Sequence, residues 1–293
     1  MPFPADTAGT SPADQRFGDA LAVAELPVIM EVKRSGADGA DQLQDRTAGD
    51  LVRRYEELGA PALSVVTGSW FGGTARLLDE VVAETSLPVL VTSFFTKEKQ
   101  IRQAAEAGAA AVLLAATILP HRLMATLVDA CLSHGVTPFV EITSAAELSA
   151  LTRPEACVVA VNNKDIRTRG STEPDLDRSH DLLPCVRAAG AGLTVSAGGT
   201  ATPEEAAALL AAGYRGLLIG TGLLRAADLD TWFAGLRALL PDAESPRQAE
   251  PHAPDPDGHP RQAAEPPAVR TGAAGRTERA PASSAPSTGA AAV

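Results

Sequence analysis

Several short stretches put chemically capable side chains just where an apolar run gives way to a loop. In 31-EVKRSG-36, Glu31 and Lys33 stand two residues apart. On an extended chain that spacing puts both on one face. Such a pair can hold an ammonium toward an anionic substrate, or it can be a plain rim ion pair. In 139-FVEIT-143, Glu141 lies among apolar neighbours. Desolvation there would raise its pKa toward acid–base duty, unless Lys33 pairs with it. The stretch 160-AVNNKD-165 offers Asn162, Asn163 and Lys164. Amides orient a substrate without titrating, although asparagines also simply form turns. In 195-VSAGGT-200 and 219-IGTGLL-224, Gly198, Gly199, Gly220 and Thr221 allow backbone N–H groups to approach an oxyanion, each loop running toward a helix start. Tight turns would use the same glycines. By contrast, 88-PVLVTSFFTKEK-99 ends its apolar run in neutral Thr92 and Ser93, and lysines come only at Lys97 and Lys99.

The elements that must position these residues are legible as a repeat. Eight apolar runs alternate with segments of helical period: 27–33, 62–67, 88–92, 110–116, 137–142, 157–163, 192–198 and 216–221. Between them lie Ala-rich stretches such as 47–60, 99–109, 122–135 and 202–213, several ending in a glycine stop. Continuous apolar strands suit a parallel sheet covered on both faces. Eight such units over residues 27–240 predict an α/β fold, a closed (β/α)8 TIM barrel. A doubly wound sheet is the alternative, but the glycine-rich dinucleotide fingerprint after the first strand is absent. In a barrel the polar strand ends all fall on one rim, where active sites of this fold lie.

Composition narrows the function classes. The chain has 293 residues, a net charge of −11, 45% hydrophobic residues and 4% aromatics. The negative charge argues against nucleic acid or an anionic membrane surface as partner. Three scattered cysteines match no metal or redox spacing and read as small buried hydrophobes. No run is long enough to span a membrane, and the N-terminus lacks a leader pattern. A cytoplasmic protein is expected. Residues 1–26 are weakly patterned, with one short helix expected over 14–26. From 241 to 293 there is no Leu, Ile, Phe, Tyr or Trp, and ten of the 22 prolines fall there. That segment is expected to be a disordered Pro/Ala-rich tail. The histidines read as surface or packing residues, and no metal site is expected.

With those motifs assembled, residues 27–240 resemble the indole-3-glycerol-phosphate synthase family. The resemblance rests on EVKRS (31–35), 59–73, PVLVTSFF (88–95), 99–114, FVEI (139–142), VNNKDI (161–166), SAGG (196–199) and LIGTGLL (218–224). It implies a lyase of tryptophan biosynthesis that closes the ring of 1-(2-carboxyphenylamino)-1-deoxyribulose 5-phosphate with loss of CO2 and water, using no cofactor. It implies that Lys33, held by Glu31, meets the substrate carboxylate. Glu141 would be an acid–base group, and Asn162 would hold the reacting centre. Ser35, Gly198, Gly199, Gly220 and Thr221 would bind the phosphate. A small phosphorylated substrate and a monomer or weak homo-oligomer follow from it.

The departures from the family pattern are specific. Its third strand ends in Arg-Lys-Asp-Phe, where this chain has Val91, Thr92, Ser93 and Phe94. The general-acid lysine is thus Thr92, which carries no charge. Its Ser-Glu-Ser-Gly is here Ser196, Ala197, Gly198 and Gly199, so a carboxylate is also gone. Its usual arginine is Lys164, the best candidate for a replacement charge, since Lys97 and Lys99 should begin a helix and point outward. The loop after Ser35 is shorter and lacks Pro-Ser-Lys, and the N-terminal extension is also short. The changes cluster at the rim while the core pattern is intact, which fits a divergent working enzyme. Altered ring-forming chemistry on a phosphorylated sugar in specialised metabolism, or a catalytically inactive phosphate-ligand barrel, are the alternatives.

Overall fold

Strict alternation along eight strands separates two cores. Inward-facing Ile29, Ala62, Leu90, Leu113, Phe139, Val195 and Leu218 form one cluster. Their outward neighbours, such as Met30, Val65, Val91, Val140 and Ile219, pack with the helices in the other. The computed structural model describes residues 12–36, 38–43, 45–165 and 173–240. The expected tail over 241–293 lies outside the described residues, as do residues 1–11.

The strands are β1 (Val28–Val32), β2 (Ala62–Val66), β3 (Val89–Thr92), β4 (Ala111–Ala115), β5 (Thr137–Ile142), β6 (Val158–Asn162), β7 (Leu193–Ala197) and β8 (Gly216–Ile219). All pair in parallel with their sequence neighbours, and β8 closes on β1 through Val28↔Leu217, Ile29↔Leu218 and Met30↔Ile219. The fold is a (β/α)8 TIM barrel.

The helices are α1 (Pro12–Val23), α2 (Ala48–Glu57), α3 (Ala75–Glu84), α4 (Glu98–Glu106), α5 (His121–Ser133), α6 (Ala145–Ser149), α7 (Asp177–Ala188), α8 (Pro203–Ala212), α9 (Thr221–Leu224) and α10 (Leu229–Leu239). Their starts follow local chemistry. Thr47, Thr74 and Thr202 accept the N–H groups of Asp50, Leu77 and Glu205, which would otherwise lack partners at a helix N-terminus. Two connections differ from one strand, one helix. The β5–β6 link holds the short α6 and a single 3-10 turn at Pro154–Ala156, and β8 is followed by both α9 and α10.

The helix expected over 14–26 exists as α1, and it belongs to the barrel's core. Phe17 and Leu21 are fully buried within the inner cluster. Phe17 meets Phe139 edge-on, with ring centroids 6.2 Å apart and planes at 90°. The rest of that cluster is mostly Ala, Val and Leu, with Ile29 and Phe139, and Phe17 and Leu21 add two large side chains to it from outside the repeat. Cys131 and Cys157 are buried as expected, whereas Cys185 on α7 is exposed. The 12-residue α7 shows only the one face of that segment to the core, through Ser179, Leu183 and Val186.

Removing the Phe17 ring should destabilise the barrel strongly. Phe17→Ala is expected to cost about 3–5 kcal/mol in denaturant unfolding. Val23→Ala, at the exposed end of the same helix, should stay within about 0.5 kcal/mol. Equal losses for both would mean that α1 does not plug the barrel.

Candidate active site

The inward alternation turns polar at the C-terminal ends of the strands. Glu31 on β1, Thr92 on β3, Glu141 on β5 and Asn162 on β6 all line one cavity of about 790 Å³, together with Lys33, Lys164, Gly198, Gly199, Gly220 and Thr221. The strand-end residues picked out by the sequence therefore meet in one place. Ser35 is not part of that wall. It lies in the loop after β1, bridged to Asp41, with its backbone N–H on the Phe71 carbonyl.

Lys33 is fixed from two sides. Its Nζ is 2.9 Å from Glu31 Oε1 and donates to Thr221 Oγ1 at 2.9 Å. Both members of the ion pair are mostly buried. Neighbouring strands hold them in register: Glu31 pairs with Ser64 across β1–β2, and the Glu31 carbonyl accepts the Tyr55 hydroxyl of α2 at 3.2 Å. Gly220 has a steric reason here. A Cβ on it would lie 2.0 Å from Glu31 Oε1, so any side chain at 220 would collide with the pair.

Glu141 does not join that pair. Its Oε2 accepts from Asn162 Nδ2 at 3.1 Å. Burial pushes its pKa up to about 7, the Asn162 hydrogen bond opposes the rise, and the charge of Glu31 adds to it. Asn162 is oriented from its other end, because its Oδ1 accepts the Lys164 backbone N–H at 2.9 Å. That turn places Lys164 on the cavity wall. Burial, aided by the positive charge of Lys33, holds the Lys164 ammonium below the usual lysine range. The result is a cation that gives up its proton more readily than a surface lysine.

The β2–β3 side of the cavity is neutral. Thr92 Oγ1 and Ser64 Oγ are 3.0 Å apart, either able to donate. On the same side of the cavity the Phe94 ring meets Trp70 at a tilt of 59°, with centroids 4.4 Å apart. Lys97 and Lys99 are exposed at the start of α4 and do not line the cavity, as their helical placement predicts. Ala197 is buried in the inner cluster, level with Asn162 and Leu218.

Two further residues take parts that their sequence context did not assign. Asn163 is buried and acts as a hub, its Nδ2 donating to Ser196 Oγ and to the Ala197 and Gly198 carbonyls, its Oδ1 accepting from Ser179. It ties β6 to β7 beneath the site. Nothing in the dipeptide Asn-Asn tells which amide faces the cavity and which faces the helices, except strand parity from Ala160. Arg225, at the end of α9, also lines the cavity and is bound to Asp38 at 2.6 Å. Among the described residues no cluster of three or more His, Cys, Asp or Glu could hold a metal, and no helix is long and apolar enough to cross a membrane.

Comparison with known proteins agrees with this geometry. The sequence profile described as indole-3-glycerol phosphate synthase matches residues 3–236. An indole-3-glycerol phosphate synthase of Pyrococcus furiosus is 33% identical over 201 residues, covering 68% of this chain and 86% of that protein. One from Staphylococcus saprophyticus is 31% identical over 214 residues, 73% of this chain and 80% of its own length. The tryptophan biosynthesis protein TrpCD of Archaeoglobus fulgidus is 34% identical over 203 residues, 69% of this chain but 36% of that longer protein. With the barrel, the rim pair on β1 and the buried carboxyl on β5 in place, this chain belongs to the indole-3-glycerol phosphate synthase family.

Proposed function

We propose that this chain is a carbon–carbon lyase of tryptophan biosynthesis, closing the indole ring of 1-(2-carboxyphenylamino)-1-deoxyribulose 5-phosphate with loss of CO2 and water. One observation carries the reading: the Glu31–Lys33 pair and the Glu141–Asn162 pair line the same cavity from opposite strands. The ring carbon bearing the carboxylate attacks the ketone carbon, the ketone oxygen takes up a proton, and CO2 leaves. Dehydration then needs a second proton delivered to the departing hydroxyl and a proton removed from the neighbouring CH2 beside the amine, which forms the ring double bond.

Each retained residue suits one of these tasks. An ammonium has three N–H donors. Glu31 and Thr221 engage Lys33 on two sides, which leaves its third donor for the substrate carboxylate. Glu141, with a pKa of about 7, is protonated in part of the population near neutrality and can deliver or accept a proton. Asn162 holds that carboxyl in place. Thr92 cannot serve as the charged acid of ring closure, so that task falls to Lys164, whose pKa is lowered in the same cavity. The phosphate lies against the loops at Gly198–Gly199 and Gly220–Thr221, near the cations of Lys33, Lys164 and Arg225. Gly199 has φ +91°, and a Cβ there would meet Pro174 Cβ at 2.4 Å, so backbone alone lines that turn.

Formation of indole-3-glycerol phosphate from that substrate, followed by fluorescence, tests the assignment. Glu141→Gln should abolish turnover, and Lys164→Gln should lower kcat by about 10²–10⁴. Lys97→Gln and Lys99→Gln should change nothing. Full activity in Lys164→Gln would remove Lys164 from the acid role. A wild type that is silent while Thr92→Lys gains turnover would show a scaffold retuned for a different substrate.

Stability should also track Glu141. Its folded pKa, about 7, lies above the ordinary glutamate value of 4.5, so the folded state binds the extra proton between those values. Stability is therefore full below about pH 4.5 for this group and falls as pH rises through 7, by roughly 3 kcal/mol in all. Glu141→Gln should flatten that part of the profile in urea unfolding between pH 5 and 8. An unchanged slope would show that Glu141 titrates normally.

A further inference from the structure

The first turn of α7 reaches back to the end of β6 and holds it. Ladder pairing between β5 and β6 stops at Ile142↔Val161, so the Asn162 carbonyl lies past the last pair. Arg178, the second residue of α7, donates from Nη1 to that carbonyl at 2.7 Å. Its Nη2 is 3.6 Å from Asp175 Oδ2, and its side chain is partly buried. One position on, Ser179 donates to Asn163 Oδ1 at 2.8 Å. The Asp175 N–H donates to the Asn163 carbonyl at 2.8 Å. Arg178 does not line the cavity, so it does not meet a substrate itself.

Those contacts fall on the two peptide groups inside one small turn. Asn162 Oδ1 accepts the Lys164 N–H at 2.9 Å, an Asx turn whose closure depends on the backbone angles at 162 and 163. The 162–163 peptide carries the carbonyl held by Arg178, and the 163–164 peptide carries the one held by Asp175. The same Asn162 side chain donates from Nδ2 to Glu141 at 3.1 Å. Lys164 leaves the turn onto the cavity wall. A charged donor makes a stronger hydrogen bond to a carbonyl than a neutral one does. This one acts where two cavity side chains depend on the orientation of a single peptide.

We infer that Arg178 is a positioning residue for Asn162 and Lys164: its guanidinium fixes the 162–163 peptide, and the turn built on that peptide aims the Asn162 amide at Glu141 and Lys164 into the cavity. The catalytic consequence rests on the lyase reading proposed above; the geometric one does not. Without the Arg178 bond the 162–163 peptide is free to rotate and the Asn162 amide leaves Glu141. That carboxyl then loses the hydrogen bond that opposes its raised pKa. Glu31 faces Glu141 from β1, and Lys33 and Lys164 line the same cavity. Burial, Asn162 and Glu31 set the Glu141 shift, so Arg178 acts on it through Asn162.

Arg178→Met and Arg178→Lys test it, through kcat and KM on the phosphorylated substrate and through urea unfolding from about pH 5 to 9. Each protein is compared with its Glu141→Gln counterpart, so the difference isolates the Glu141 titration whether or not the protein turns over. Arg178→Met should lower kcat about 10- to 100-fold with KM within about twofold. Its Glu141-dependent loss of stability should move to higher pH, because a lost Asn162 bond raises the folded pKa further. Arg178→Lys keeps a charged donor for that single acceptor and should restore both. Arg178→Gln, too short to reach the carbonyl, should match Arg178→Met and replaces it if that variant does not fold. An unchanged kcat and an unmoved Glu141 titration in folded Arg178→Met overturn the assignment, even where the melting temperature falls, since the residue is then structural only. A lower kcat with an unmoved titration overturns the route through Asn162. A wild type without turnover, in which Arg178→Met still moves the titration, overturns the lyase reading and supports the positioning of Asn162.

Discussion

The seam where β8 meets β1 is the constraint on which the site depends. Closing a parallel barrel brings the first and last strands side by side, and their pairing ends at Met30↔Ile219. The next inward residues are Glu31 on one strand and Gly220 on the other. The missing side chain at 220 leaves room for a carboxylate, and the carboxylate holds Lys33, which in turn reaches Thr221. A buried ion pair contributes little net stability, because desolvation offsets the attraction. Its value here is geometric. It fixes an ammonium across the one joint that sequence-adjacent pairing does not make.

The two halves of the rim differ in electrical character. The β8–β1 and β6 sides hold Lys33, Lys164 and Glu31, and the β2–β3 side offers only hydroxyls and the Trp70–Phe94 stack. Glu141 sits between them with an amide as its partner rather than a cation. That explains the direction of its shift: burial is opposed by one neutral donor, and the charge of Glu31, another carboxylate, adds to it. A lysine at position 92 would add a positive field to the same cavity and pull that pKa down. The unusual residue on β3 and the raised pKa on β5 are thus two aspects of one charge distribution.

Much of this was legible because period and parity are local. The apolar runs gave the strands to within a residue or two, and two-residue spacing placed Glu31 beside Lys33. Glu141 stood out as a carboxylate inside an apolar run. What stayed hidden depends on closure. Nothing local says that Gly220 faces Glu31, since that contact joins the ends of the repeat. Ser64 looks like any strand serine until β3 is laid beside β2. Phe17 lies outside the repeat, and its segment reads as weakly patterned because its apolar face is narrow. Ser35 stands apart from the cavity wall, its backbone engaged with Phe71 and bridged to Asp41, which its place in the motif does not tell.

The departures from the family pattern make physical sense as a set. Thr92 stands where the resemblance expects a lysine, and Ala197 where it expects a glutamate. Val91 and Ser93 likewise stand where that pattern has an arginine and an aspartate, so two cations and two carboxylates of the pattern are absent from these positions. The replacements at 92 and 197 are small and pack without strain: Thr92 finds Ser64, and Ala197 joins the inner apolar cluster. In the proposed reading, proton transfer rests on Glu141 and Lys164, which sit on adjacent strand ends and are joined through Asn162.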